Sequence, residues 1–167
     1  IRHELPLLLN RLGVKEILDA PCGDYNWFHV VQRGRNVSYL GGDIVEALVI
    51  KNNERYANES TRFMRMDIIH DPLPKADLWL CRDCLFHLSN GEIFSVINGF
   101  LESDIRYLLT TTHPECKHNI NIPTGLFRLM NLERPPFSFC KPTLSIDDWI
   151  EGYPVRQLAL WERQVLS

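Results

Sequence analysis

Glu16-Ile-Leu-Asp-Ala-Pro-Cys-Gly-Asp-Tyr-Asn-Trp27 decides how this chain is read. A short apolar run ends on Asp19, a tight turn follows at Pro21-Cys22-Gly23, and an acid with aromatics then opens what reads as a short helix over 25–32. Glycine lets backbone approach a ligand closely, and the carboxyl end of a strand is where open α/β sheets bind nucleotide-like molecules. A dinucleotide-binding turn carries G-x-G-x-x-G so that backbone can press against a pyrophosphate. Here only Gly23 is present, with Ala20, Cys22 and Tyr25 at neighbouring places. An ordinary strand-to-helix turn is the plain alternative for this stretch taken alone.

Outward from it, strand-like and helix-like segments alternate, which predicts a mostly parallel sheet covered on both faces. Leu5, Leu8, Leu9 and Leu12 share one helical face before Gly13, a C-terminal stop. Strands are expected at 16–19, at 37–40 running into Gly41-Gly42-Asp43, at 62–66 ending on Asp67, at 76–81 and at 106–112. Helices are expected over 45–56 and after Ser89-Asn-Gly-Glu92, which has the spacing of a capping box. From His113 to Pro142 the alternation breaks; five of the ten prolines fall there, and Phe127, Phe137 and Phe139 argue against disorder. Two last strands are expected at 143–150 and 156–161, around Glu151-Gly-Tyr-Pro154.

With 167 residues, 45% hydrophobic and 23% charged, the chain reads as one domain over 1–167. There is no apolar run long enough to span a membrane, and the start has no signal-peptide core. It also lacks an initiator Met, so native residues are expected ahead of Ile1. The net charge of −3 gives no footprint for non-specific nucleic-acid binding. Five cysteines, an odd number, argue against a disulfide framework and for a cytoplasmic protein. Cys81-Arg-Asp-Cys84 has metal-site spacing, and Cys116 with His118 would complete a set on paper. A strand running through Cys84 would turn the two thiols to opposite faces, so no metal is expected.

The glycine turn gains weight from its place in a series. Asp19, Asp43 and Asp67 end three successive strands, and Cys81-Arg82-Asp83 follows the fourth; parallel strands bring those ends to one edge. Asp19-Ala-Pro-Cys-Gly-Asp24, Gly42-Asp43-Ile44, Met66-Asp67-Ile68 and Cys81-Arg-Asp-Cys-Leu-Phe-His-Leu88 resemble the successive cofactor and post-strand-four motifs of class I S-adenosylmethionine (SAM)-dependent methyltransferases. More narrowly, the chain is similar to a group of bacterial methyltransferase-domain proteins that share Thr110-Thr-Thr112 and Asn131-Leu-Glu-Arg-Pro-Pro-Phe137.

The resemblance covers nearly the whole chain. It implies a Rossmann-like three-layer α/β sandwich with a seven-stranded sheet, order 3-2-1-4-5-7-6, strand seven antiparallel. It implies SAM as cofactor, held by Asp19, Ala20, Gly23, Asp24, Asp43, Ile44, Asp67, Ile68, Cys81 and Arg82. Asp19 suits the ammonium of the methionine part. Asp43 can accept from both ribose hydroxyls. Asp67 and the Ile68 amide suit the adenine edge, with Ile44 and Ile68 against its faces. Arg82 suits the SAM carboxylate or an acidic substrate.

Catalysis is less legible. Methyl transfer gains much from alignment alone and needs a base only where the nucleophile must lose a proton. Asp83 and His87 follow strand four; His87 is the better base by its ordinary pKa, yet packing under the fifth-strand loop is its favoured role. His113 and Arg128 are the substrate-side candidates, and the 113–142 segment is the expected acceptor pocket, with Arg134 as a further donor. The expected reaction is methyl transfer to a small-molecule or glycan-type acceptor. The alternatives are an NAD-type oxidoreductase, against which the missing glycines argue, and a SAM-binding module without catalysis.

Overall fold

The computed structural model describes residues 1–166; Ser167 lies outside the described residues. Seven strands form one sheet: β1 Glu16–Asp19, β2 Ser38–Asp43, β3 Thr61–Arg65, β4 Leu78–Cys81, β5 Tyr107–Thr112, β6 Leu144–Asp147 and β7 Gln157–Glu162. Their order is β3-β2-β1-β4-β5-β7-β6. β3-β2-β1-β4-β5 pair in parallel, while β7 runs antiparallel to both of its neighbours. The expected order and the antiparallel seventh strand are both present.

Alternation along the central strands explains the layers. Leu78 and Leu80 of β4, Tyr107 and Leu109 of β5, and Leu158 and Leu160 of β7 face one core. There they meet Leu5, Leu8 and Leu9 of α1 (Glu4–Leu12) and Val49 of α2 (Glu46–Tyr56). Trp79 and Cys81, Leu108, and Ala159 and Trp161 face the other, against Ile93, Val96, Ile97 and Phe100 of α3 (Asn90–Glu102). Strands buried on both faces read as continuous apolar runs, as Leu78–Cys81 does. α1 stops where Gly13 turns left-handed (φ 66°). α3 starts at a complete capping box between Ser89 and Glu92.

Two expectations change. The helix expected over 25–32 is only a 3₁₀ turn, Phe28–Val30. Asp24 accepts from the Asn26 amide and Tyr25 is left-handed (φ 60°), so an Asx turn takes the place of a helical start. β2 runs through Gly41 and Gly42 to Asp43 as expected, and glycine is needed there because a Cβ on Gly41 would lie 2.5 Å from Phe63 Cδ1. β6 ends at Asp147 rather than Ile150, so the following connection, 148–156, is free to leave the sheet.

The 113–142 segment has no helix or strand, but it is packed. Met130 and Leu132 are fully buried in the second core, together with Phe137. Its backbone is held by side chains: Asn131 Nδ2 donates to the carbonyls of Pro114 and Cys116, and Asn119 Nδ2 donates to those of Asn131, Arg134 and Pro135. Such side-chain bonds satisfy backbone groups that would otherwise need a ladder.

Candidate functional site

The first turn is built from both sides. The Gly23 amide donates to Asp43 Oδ2 at 2.9 Å, and the Cys22 amide to the Gly42 carbonyl at 2.8 Å. Asn52, buried on α2, donates Nδ2 to the Gly23 carbonyl at 2.8 Å. Trp79 Nε1 donates to the carbonyl of Ala20. Gly23 itself is left-handed (φ 55°), and a Cβ built on it meets nothing within 4 Å. The space above the turn is therefore open.

Asp19 ends β1 and is 1% exposed. Its Oδ2 accepts a 2.6 Å hydrogen bond from Tyr39 Oη. Burial pushes its pKa up to about 7, against the lowering pull of Tyr39 and Arg82; Asp43 adds a further push upward. Asp43 Oδ1 also accepts from the Val45 amide, which leaves each carboxylate oxygen a further lone pair. Beside it Ile44 is 53% exposed, an apolar side chain facing solvent at the strand end.

Asp67 stands in the next turn. Its Oδ1 accepts from the Ile69 amide and its Oδ2 lies 2.8 Å from His70 Nδ1, which lowers the Asp67 pKa. Ile68 is half-buried between them. The turn is tied to the rest of the site through Met66, whose amide donates to the Asp43 carbonyl. Asp24 is exposed and closes its own Asx turn.

After β4 the chain turns at Asp83, a left-handed residue (φ 54°) whose amide donates to Thr111 Oγ1. The strand ends at Cys81, so the alternation expected through Cys84 does not apply. The Cys84 thiol instead reaches Cys81 by hydrogen bond and, with burial, drives the Cys81 pKa well up. Among the described residues no cluster of three or more His, Cys, Asp or Glu side chains is placed to hold a metal ion.

Arg82 and Asp83 form a closed ring of charge with the 148–156 connection. Arg82 grips Asp148 with two bonds, Nε to Oδ2 at 2.8 Å and Nη2 to Oδ1 at 3.1 Å. Arg82 Nη1 lies 3.3 Å from Asp83 Oδ2, and Arg156 Nη1 donates to Asp83 Oδ1 at 2.9 Å. Arg156 Nε donates to the Asp148 carbonyl. Arg82 also lies over the Trp27 ring, 4.7 Å from its centre. Sequence reasoning left Trp27, Asp148 and Arg156 out of the site; the paired acids of Asp147-Asp-Trp-Ile150, next to two large apolar residues, were the available signal for Asp148.

Against this ring opens a cavity of about 510 Å³. Phe86, His113 and Phe127 form one side, and Trp149, Ile150 and Tyr153 form the other. The expected pocket segment thus supplies one wall through His113 and Phe127, and the β6–β7 connection supplies the other. Arg128 lies elsewhere: it is 3% exposed, with Nη1 on the Ile120 carbonyl and Nη2 on the Leu88 carbonyl. Both groups are spent on backbone, and burial lowers the Arg128 pKa. His87, on the 3₁₀ turn Leu85–His87, directs Nδ1 to the Leu126 carbonyl at 2.9 Å. It tethers the 113–142 segment to the post-β4 turn.

No family model matches the chain, and no curated protein does. Solved structures do. Human N-acetylserotonin methyltransferase in complex with SAM superposes with a TM-score of 0.68 at 12% identity, over 95% of this chain and 50% of that one. The methyltransferase domain of a bacterial Hen1 gives 0.69 at 12% identity, over 96% of both chains. Magnesium protoporphyrin IX methyltransferase from Synechocystis, with bound S-adenosylhomocysteine (SAH), gives 0.68 at 15%, over 97% of this chain and 81% of that one. The chain spans half the length of the first of these. The fold is that of the class I SAM-dependent methyltransferases.

Proposed function

We propose that this chain is a SAM-dependent methyltransferase acting on a small-molecule acceptor. The observation that carries the reading is Asp19: a carboxylate buried at the end of β1, hydrogen-bonded among the described residues to one phenol, on the strand that leads into the open Gly23 turn. Arg82 acts on Asp19 but is bridged to Asp83 and Asp148, so the buried carboxylate fits an incoming ammonium, which would restore its charged form. Asp43 has free lone pairs for ribose hydroxyls, and the exposed Ile44 offers an apolar face to a base. The residues present therefore fit SAM, which when bound supplies an electrophilic methyl on a sulfonium.

The chain's own part is to bind and align. Asp19, Gly23, Asp43 and Asp67 hold the cofactor in this reading. The cavity bounded by Phe86, His113, Trp149 and Tyr153 holds the acceptor in this reading. The Arg82–Asp148 pair joins the two compartments. In-line transfer gains from such positioning without any residue entering a covalent step.

Calorimetry with SAM and SAH tests the reading. Asp43→Ala should weaken both by about 1.5–3 kcal/mol, because it removes a charge-assisted acceptor and the anchor of the Gly23 amide. Equal affinity in mutant and parent would sink the ribose assignment. Tight NADH binding without SAM binding would replace the reading with an oxidoreductase.

A further inference from the structure

His113 is 3% exposed and lines the cavity. Its Nδ1 lies between the two backbone groups of Met130, 3.2 Å from the amide nitrogen and 3.3 Å from the carbonyl oxygen. Those groups are not equivalent. The Met130 carbonyl already accepts from the His113 amide at 2.7 Å. The Met130 amide is fully buried and has no acceptor other than His113 Nδ1 among the described residues. Buried N–H groups are almost always paired. Nδ1 must therefore accept, which puts the ring proton on Nε2. Burial holds the His113 pKa below its ordinary value, against the Met130 backbone; Arg156 adds to the lowering and Asp83 opposes it. The ring is neutral at pH 7, and Nε2–H has no protein acceptor among the described residues.

The two arginines of the cavity, Arg82 and Arg156, are already paired with the carboxylates of Asp83 and Asp148, and Asp147 is hydrogen-bonded by the neutral amide of Gln157. An anion entering here would find no unengaged cation, and a sugar would find few unpaired groups for its hydroxyls. The walls are aromatic: Phe86 meets His113 edge-on at 5.3 Å, with Phe127, Trp149 and Tyr153 around them. The volume of about 510 Å³ suits a small molecule.

We propose that the cavity takes a neutral, flat-ringed acceptor whose carbonyl or ether oxygen accepts a hydrogen bond from His113 Nε2–H. His113 is then a recognition residue for the acceptor class, with a fixed donor rather than a lone pair turned to the substrate. The inference rests on the methyltransferase reading for the word acceptor; the ligand class rests on the cavity alone.

The test uses four probes on the whole chain by ligand-observed NMR and calorimetry: coumarin, indole, naphthoate and methyl glucoside. Coumarin carries a ring carbonyl and no charge, and should bind about ten-fold tighter than indole, which has no acceptor oxygen. It should also outbind naphthoate and the glucoside. His113→Phe keeps the ring and loses the donor, and should cancel the coumarin advantage while SAH affinity stays unchanged. Nitrogen-15 NMR of the His113 imidazole in the parent needs no variant and should show the proton on Nε2, with that signal shifting on coumarin addition. Naphthoate or glucoside binding as tightly as coumarin, or a proton on Nδ1, would overturn the proposal. Absence of SAH binding by the parent would overturn the methyltransferase reading, and leaves the coumarin comparison to decide the cavity's ligand class.

Discussion

Tyr39 Oη donates to Asp19 Oδ2 at 2.6 Å between β2 and β1, and both residues are buried. The acid raised to about 7 by burial thus sits on a phenol whose own pKa is also driven well up, first by burial and then by Asp19. Neither group gives up its proton easily.

Asp19→Asn should stabilise the protein at alkaline pH. Below the ordinary carboxylate pKa near 3.8 both folded and unfolded chains hold the proton. Between there and about 7 the unfolded chain loses it and the folded chain keeps it, so folding is increasingly disfavoured; the penalty is complete above 7. Removing it is worth on the order of 2–4 kcal/mol. Thermal unfolding at pH 8 should show the mutant melting higher, and the gap should close towards pH 4. Calorimetry should show the reverse for the cofactor: parent affinity rising through pH 7, mutant affinity weak and flat.

Gly41→Ala should destabilise by about 1–3 kcal/mol, since the added methyl meets the Phe63 ring. Gly91→Ala, in the first turn of α3 with open space around it, is the control and should be neutral or slightly stabilising. Urea midpoints of the two variants measure the contrast.

The fold was readable because its signals are local and repeated. Apolar runs such as Leu78–Cys81, the S-x-x-E cap at Ser89 and acids at strand ends each depend on a few neighbouring residues. The cofactor edge follows, because parallel strands must present their ends together. The cavity side did not follow. Its wall at Trp149 and Tyr153 lies beyond β5 in a connection that only tertiary pairing to Arg82 puts in place. Asn52 was missed because its neighbours in sequence, Lys51 and Asn53, are polar, although a helical wheel places it beside Leu48, Val49 and Tyr56, the face that α2 packs on the Gly23 turn. Arg128 was readable as a charge but not as a brace, since its partners are carbonyls of Ile120 and Leu88.

Arg128→Met should lower thermal stability by about 2–4 kcal/mol, because the Ile120 and Leu88 carbonyls lose charged donors. SAM affinity should hold. A variant that melts with the parent yet loses acceptor binding would instead put Arg128 in the substrate site.

Asp148→Ala removes the two-bond grip of Arg82 and half of the ring joining β4 to the β6–β7 connection. The loss should be about 1–2 kcal/mol globally. The local effect should be larger: limited proteolysis should cut faster within 148–156, and added salt should accelerate cleavage of the parent towards the mutant rate.

β7 lies between β5 and β6, although it is made after both. During synthesis β6 leaves the ribosome with no partner in the sheet, and β5 presents an open edge, until residues 157–162 emerge. Translation therefore delivers the Gly23 turn and the ends of β1, β2 and β3 well before the 148–156 wall of the cavity. A nascent chain stalled short of Gln157 would expose Leu109 and Ile146 to chaperones while its Gly23 turn was already built. The cavity between Phe86 and Trp149 can close only after β7 has paired with β5 and β6, an order set by strand topology.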